Sequence, residues 1–459
     1  MTATARAPQP GARAIAAGPP AHRPAEPARW DLLLVCVGVY VACAVGRVHL
    51  LFPALQPLQP AFISGVLATG LYALAQSGPR RVELLRHRVT YLLLALTVWM
   101  ALSVPGALNR GAAFHFWTGN FIKSVVMYFV IAGCIRGFRD VERLALAYFA
   151  STVVYTVVVL ARFQLDESNW RLAGLYTYDA NDFATLVVTA MPLGLYLVLR
   201  SRSLLWRATS LGALGTLAVG LVWSGSRGGF LALLVTICFV LFRFTTVPAK
   251  WRLAVFAVIL VLVAGIASDQ YWTAMQTILK PSEDYNETSE TGRIKTWERG
   301  LGYMAQHPLL GVGADNFWFA EGTISPLAWR QQYGKAVRWG AAHNSFVQVG
   351  AELGVPGLLL FVAILASTFA SLRRVAKYAI ETAPGVHGPP RLAQSLMAAL
   401  IGFSVGAFFL SLAYAEMLYT LIALAVALEK ISRPKASPLP LPASRAVVGG
   451  GSHPLRHTA

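Results

Sequence analysis

The sequence predicts an all-α membrane protein with about twelve transmembrane helices and one large polar loop on the outer face of the membrane. Three observations carry that expectation. Charged residues make up only 13% of the 459 residues, roughly half the share found in a soluble domain. Hydrophobic residues make up 56%, with mean hydropathy +0.55, and gather in runs of about 15–20, the length that crosses a hydrocarbon core. The basic residues cluster in alternate gaps between those runs.

Residues 1–29 are rich in Ala, Pro, Gly and Arg and hold no apolar run, so they predict a disordered cytoplasmic tail rather than a secretory signal. Nine spans are expected within 30–268, near 31–46, 60–77, 90–107, 121–135, 144–162, 183–199, 208–223, 229–242 and 253–268. Residues 269–342 form the long outer loop. Three further spans, near 355–371, 392–413 and 416–429, fall within 343–432, and residues 433–459 read as a second cytoplasmic tail. Counted from a cytoplasmic N-terminus, about two-thirds of the 39 basic residues lie on the inner side, in short loops where the positive-inside rule has force. Arg80, Arg81, Arg136, Arg139, Arg200, Arg373 and Arg374 are among them.

The net charge of +18 does not point to nucleic acid, because the cations sit in short clusters between apolar runs and form no single stripe. Cys36, Cys43, Cys134 and Cys238 all fall inside apolar runs, which suits packing and not a disulfide scaffold or a zinc site.

In the outer loop, Ile294, Trp297, Leu301 and Met304 recur at helical spacing after a Ser289 or Thr291 cap and stop before His307-Pro308. The turn GVGADNF (311–317) follows, then a short helix expected over SPLAWRQQYGK. Trp297, Trp318, Phe319, Trp329 and Trp339 suit a lid at the membrane interface, where Trp is enriched.

Charged groups at membrane depth are expensive and point to function. Arg227, in WSGSRGGF, precedes a helix whose free N–H groups and positive dipole end favour anions, and its guanidinium suits bidentate phosphate binding. The spacing allows equally an arginine that only extends its head to the interface. His343, in AAHNSFVQVGAELGVPG, opens an apolar helix, where the positive dipole end disfavours imidazolium and leaves the ring available as a base, although a lone histidine is more often structural. Asn344 and Ser345 are candidates to cap that helix or to orient the ring. Glu352 is expected buried near a break at Gly354 and Pro356, paired with an arginine or purely structural. Arg293 stands at the first turn of the loop helix, whereas Lys295 and Arg299 read as its solvated face. In LYTYDANDFA, Asp179 and Asp182 are too few ligands for a cation, and capping by Asn181 or Asp182 is the better reading.

Four blocks in order, DAND, SRGG, GRIKTWERGLGYMAQHPLLGVGADNF and HNSFVQVGAELGVPG, resemble the signature blocks of the O-antigen ligase superfamily, with Asp179 where an asparagine is often seen. The resemblance implies a GT-C-type glycosyltransferase of a Gram-negative inner membrane, with its active site facing the periplasm. It implies an undecaprenyl-pyrophosphate-linked O-antigen donor and a lipid A–core acceptor, inversion at the anomeric carbon, and neither metal, nucleotide nor other cofactor. His343, Arg227 and Arg293 match the catalytic positions. Substrate binding is expected at Arg227, Arg293, Asn181, Lys335 and Arg338, the last two facing lipid A–core phosphates. An O-antigen polymerase is the close rival. A lipid or sugar transporter is the remote one, since no internal repeat is evident and the polar residues gather at the outer face.

Overall fold

A computed structural model describes residues 31–75, 86–163, 170–172, 177–244, 247–280, 289–329, 340–382 and 388–433, and these residues are helical with no strand among them. Lys335, Arg338, Trp339 and both tails lie outside the described residues. Every expected apolar span has a helix. The first group is α1 (Leu32–Ala44), α2 (Pro60–Ala75), α3 (Arg88–Ser103), α4 (Arg110–Phe116), α5 (Ile122–Cys134) and α6 (Phe138–Arg162), with a π turn at Trp117–Phe121 joining α4 to α5. Next come α7 (Ala180–Arg200), α8 (Leu204–Ser224), α9 (Arg227–Arg243) and α10 (Ala249–Ile266). The loop holds α11 (Asp269–Gln276), α12 (Arg293–Gln306) and α13 (Phe317–Thr323), and the chain closes with α14 (Ser345–Thr382), α15 (Gly388–Ala407) and α16 (Glu416–Ser432). Among the described residues, seven helices are each long and apolar enough to cross a membrane.

The core is built around α7, which packs on α6, α8, α9 and α15. Gly402 and Gly406 on α15, four residues apart, lie directly against Val188 and Thr185 of α7, the small-residue spacing that lets membrane helices approach closely. α16 is buried along its length from Met417 to Glu429. Ionised groups collect at the two ends of the bundle. At the end expected to face the cytoplasm, Glu429 accepts from His87 Nε2 at 2.9 Å and from Arg374 Nε at 3.0 Å, while Arg200 pairs with Glu142 and Arg136 with Asp31.

Two helices differ from their expected spans. α14 begins ten residues before the expected 355 and is broken at Gly354, which takes φ 69°. At the break the helical rungs are replaced by rungs from elsewhere. Val312 N donates to Ala351 O (2.9 Å), Gly313 N to Glu352 O (2.9 Å) and Trp99 Nε1 to Leu353 O (2.9 Å), while Val355 N donates to Pro308 O (2.8 Å). The GVGADNF turn thereby docks on the break and satisfies backbone groups that would otherwise be orphaned. α15 stops at Ala407, and residues 408–415, expected to include the end of a span, instead lie across the end of the bundle expected to face outward, touching His343, Ser345, Trp297 and Glu352.

The loop helix is present but turned. Its cap is Gly292, not Ser289 or Thr291, and its buried residues are Thr296, Gly300 and Tyr303, while Ile294 and Leu301 are exposed. The reason is close packing, since Gly300 lies against Val347 and Phe317, and Met304 lies against Gly350. α12 thus runs alongside the outer part of α14, in the same direction. Arg299 is not a solvated cation. Its Nε and Nη2 grip Glu321 at 2.9 and 2.6 Å, and Tyr303 donates to the same carboxylate at 2.6 Å, tying α12 to α13. Lys295 does sit on an exposed face, paired with Glu298. Of SPLAWRQQYGK, Ser325 to Ala328 form turns, and residues beyond Trp329 lie outside the described part. The cysteines are free, with Cys36, Cys43 and Cys134 buried and Cys238 exposed.

Candidate active site at one end of the bundle

Arg227 is placed by a sharp turn between two helices. α8 ends at Ser224, Gly225 follows with φ 59°, and Ser226 caps α9 by accepting from Gly229 N at 3.1 Å. Arg227 is the first residue of α9, half-buried, and its Nη1 donates to Thr277 Oγ1 at 2.6 Å. The anion-favouring helix start expected from the sequence is therefore present.

His343 sits just ahead of α14 with φ 46°. A non-glycine residue in the left-handed region is uncommon and costs of order 1 kcal/mol or more, a strain concentrated at functional sites. The surroundings hold it there. His343 N donates to Ser411 Oγ at 2.9 Å, Ser345 Oγ donates to Leu410 O at 2.7 Å, and Leu412 N donates back to Ser345 Oγ at 2.8 Å. Asn344 caps α14 by accepting from Phe346 N and Val347 N. The crossing segment 408–415 is thus the seat of the histidine.

The imidazole is held below its ordinary titration range, first by burial and then by the positive charge of Arg293, with Asp179 opposing both. The sequence led to the right direction by a different cause. Arg293 opens α12 and is half-buried. One turn further on, the Trp297 ring meets Phe408 edge-on at 5.4 Å, so the Arg293 helix and the His343 turn rest on one crossing segment. Gly228, next to Arg227, packs on Phe409 of that same segment.

Asp179, not Asn181 or Asp182, is the cap of α7. One carboxylate oxygen accepts from Asn181 N and Asp182 N, both at 2.7 Å. Asn181 lies half-buried in the first turn that Asp179 closes. Asp179 joins the two halves of the site, since it interacts electrostatically with His343 and also with Arg171, which in turn feels Arg227. Glu352 is buried as expected, and among the described residues it accepts from Tyr414 Oη at 2.9 Å and Phe317 N at 3.3 Å and not from an arginine.

Sequence reasoning passed over two cations here. Arg47, with φ 47°, stacks on the Tyr178 ring at 4.7 Å, while Tyr178 Oη donates to Val45 O at 2.8 Å. Arg171 follows Trp170, whose ring covers Gly225. A signal existed, because both are arginines in short outer segments where the charge rule disfavours them.

Residues 212–362 match the family model described as O-antigen ligase. An 83-residue stretch, 18% of this chain, is 28% identical to the exopolysaccharide production protein ExoQ of Rhizobium meliloti (strain 1021). That alignment spans only 19% of the relative's own length. The matched residues 212–362 include Arg227, Arg293 and His343, and together the two matches support the O-antigen ligase/polymerase superfamily, and with it a membrane protein of polysaccharide assembly.

Proposed function

We propose that the protein is a glycosyltransferase acting at the periplasmic face of a Gram-negative inner membrane. It joins O-antigen polysaccharide, carried on undecaprenyl pyrophosphate, to lipid A–core oligosaccharide. The observation that carries this reading is the neutral-leaning His343 set in the field of Arg293, with Arg227 at the same end of the bundle.

An acceptor hydroxyl attacks the anomeric carbon while an imidazole nitrogen of His343 takes its proton. The bond from that carbon to the diphosphate oxygen breaks, and the electron pair leaves on the phosphate. Arg227 and Arg293 meet the charge that develops there. Asp179 favours the imidazolium that proton transfer creates. A single displacement inverts the anomeric centre, and the donor brings its own leaving group, so the reaction requires no nucleotide, metal or other cofactor. Asn181 lies at this end of the bundle among the donor-binding residues, and Lys335 and Arg338 are assigned to the acceptor's phosphates.

A second reading is elongation of the same lipid-linked donor by a polymerase, favoured by the similarity to an exopolysaccharide production protein. A lipopolysaccharide gel of a deletion strain separates the two. Polymer left on the lipid carrier means ligase, and core bearing one repeat unit means polymerase. Loss of attachment in His343→Ala, Arg227→Ala and Arg293→Ala, with the protein still inserted, is the expected result for the site. Near-normal ligation by His343→Ala would remove the base. The break at Gly354 has the look of a transporter helix, but its carbonyls are occupied by Val312, Gly313 and Trp99. Lipid transport surviving His343→Ala would reverse that judgement.

A further inference from the structure

Three consecutive residues of the crossing segment are held by the two residues that flank Asn344. Ser345, fully buried, donates its hydroxyl to Leu410 O at 2.7 Å and accepts from Leu412 N at 2.8 Å. The residue between them, half-buried Ser411, offers its Oγ to the His343 N–H at 2.9 Å. Two serines thus interlock, one from each piece of chain. The first fixes the register in which the second meets the histidine.

The Ser411 bond acts on the torsion that aims the imidazole. φ sets the direction of the backbone N–H relative to the side chain, and at His343 it is 46°. Relaxation to the usual helical or extended range, near −60° and beyond, would turn the N–H by roughly 100° or more relative to the ring. The hydroxyl would then lose its donor or the ring its aim. A left-handed φ is unfavourable for a residue with a β-carbon, so the hydrogen bond offsets a strain that would otherwise release the turn. The same segment also bears the two arginine helices. Phe408 meets the ring of Trp297, one turn after Arg293, and Gly228, next to Arg227, lies against Phe409. Tying the histidine to Ser411 therefore sets it in one frame with both.

We propose that Ser411 is a positioning residue for His343, its hydroxyl oxygen locking the left-handed turn that aims the imidazole at the acceptor. The inference rests on the reading of His343 as the general base. Ser411 meets the backbone of that base, so its part is orientation. It lies outside the matched region 212–362.

The test is steady-state transfer from undecaprenyl-pyrophosphate-linked O-antigen to lipid A–core by the full-length protein in lipid nanodiscs, with rates set against folded protein. Ser411→Ala is expected to lower kcat by about tenfold to a hundredfold, the scale of a misaligned reacting group, with KM for the donor unchanged. Ser411→Thr, which keeps the hydroxyl, is expected to recover most of that rate. Ser404→Ala, whose hydroxyl donates to Leu400 O at 2.8 Å within α15, controls for the loss of a nearby serine and should match the parent. A structural part alone would lower the folded yield and leave kcat per folded molecule at the parental value. That result, beside an inactive His343→Ala, overturns this proposal and leaves the base standing. A threonine variant no faster than the alanine one also overturns it. Full activity in His343→Ala, or no transfer by the parent, removes the base and this proposal with it. If Ser411→Ala does not fold, Ser411→Cys decides, being close in size and a weak acceptor. Parental kcat there rejects the role, and a reduced kcat at unchanged KM upholds it.

Discussion

The hydroxyl of Tyr414 donates to Oε2 of Glu352 across 2.9 Å, joining the segment that crosses the outer end of the bundle to the broken turn of α14. The other carboxylate oxygen accepts from Phe317 N at 3.3 Å, at the start of α13. One buried carboxyl thus holds three pieces of chain that the sequence keeps far apart. Glu352→Ala leaves a buried hydroxyl and a buried N–H without their acceptor, each costing about 1–3 kcal/mol. A clear fall in the thermal unfolding temperature in detergent is expected, with a smaller fall for Glu352→Gln, which keeps one acceptor oxygen. Equal stability of all three proteins would show that the clasp is idle.

With His343 as the proposed base, the acidic limb of the pH–rate profile should report on it. The proposal makes its neutral form the active one, and burial with Arg293 nearby holds it below the ordinary value of 6.5. Activity should persist as pH falls through the usual histidine range and disappear only below it. Arg293→Gln removes a neighbouring positive charge, so the residual activity should fade at a higher pH than in the parent. An unshifted limb in that variant would separate Arg293 from the base.

Gly354→Ala puts a β-carbon at φ 69° and against the carbonyl oxygens of Pro308 and Leu309. The left-handed conformation alone costs about 1–2 kcal/mol, and these backbone atoms have no rotamer by which to move away. Lower yield of folded protein and reduced transfer are expected together, measured by size-exclusion profile and by glycan attachment in a complemented strain. Normal yield with normal transfer would mean that the break is dispensable.

With arginines available for the departing charge, transfer should continue in EDTA. Activity abolished by chelator and restored by magnesium would return Asp179 and Asp182 to consideration as cation ligands.

Hydropathy made the spans legible because length and composition alone decide whether a run crosses a bilayer. The same measure could not mark the end of α15, since Phe408, Phe409 and Leu410 are as apolar as the helix before them. Their departure from it depends on partners at Ser345 and Trp297, distant in the chain. Likewise Gly354 and Pro356 announced a break between the helix opened at His343 and the span beyond, but not that the 308–313 backbone would dock on it. The loop helix misled for another reason. Its apolar stripe is exposed at Ile294 and Leu301, and it packs through Thr296 and Gly300, where small size and not hydrophobicity lets Val347 approach. His343 and Arg227 were readable as costly polar groups flanking apolar runs. Arg171 carried a weaker mark, a cation where the charge rule disfavours one, and the Leu172 N to Trp223 O hydrogen bond that lays its segment over the turn is announced by no local pattern.

The interrupted rungs at Gly354 change what the histidine is attached to. By covalent connection, His343 precedes a long apolar helix; by hydrogen bonding, the first part of that helix is joined to the 308–313 turn, because Ala351 and Glu352 carry Val312 and Gly313 where their own downstream amides would have been. On the proposed function, a glycan resting on α12 bears on His343 through the segment that both share, at Phe408 and Ser411, and not through the rungs of α14.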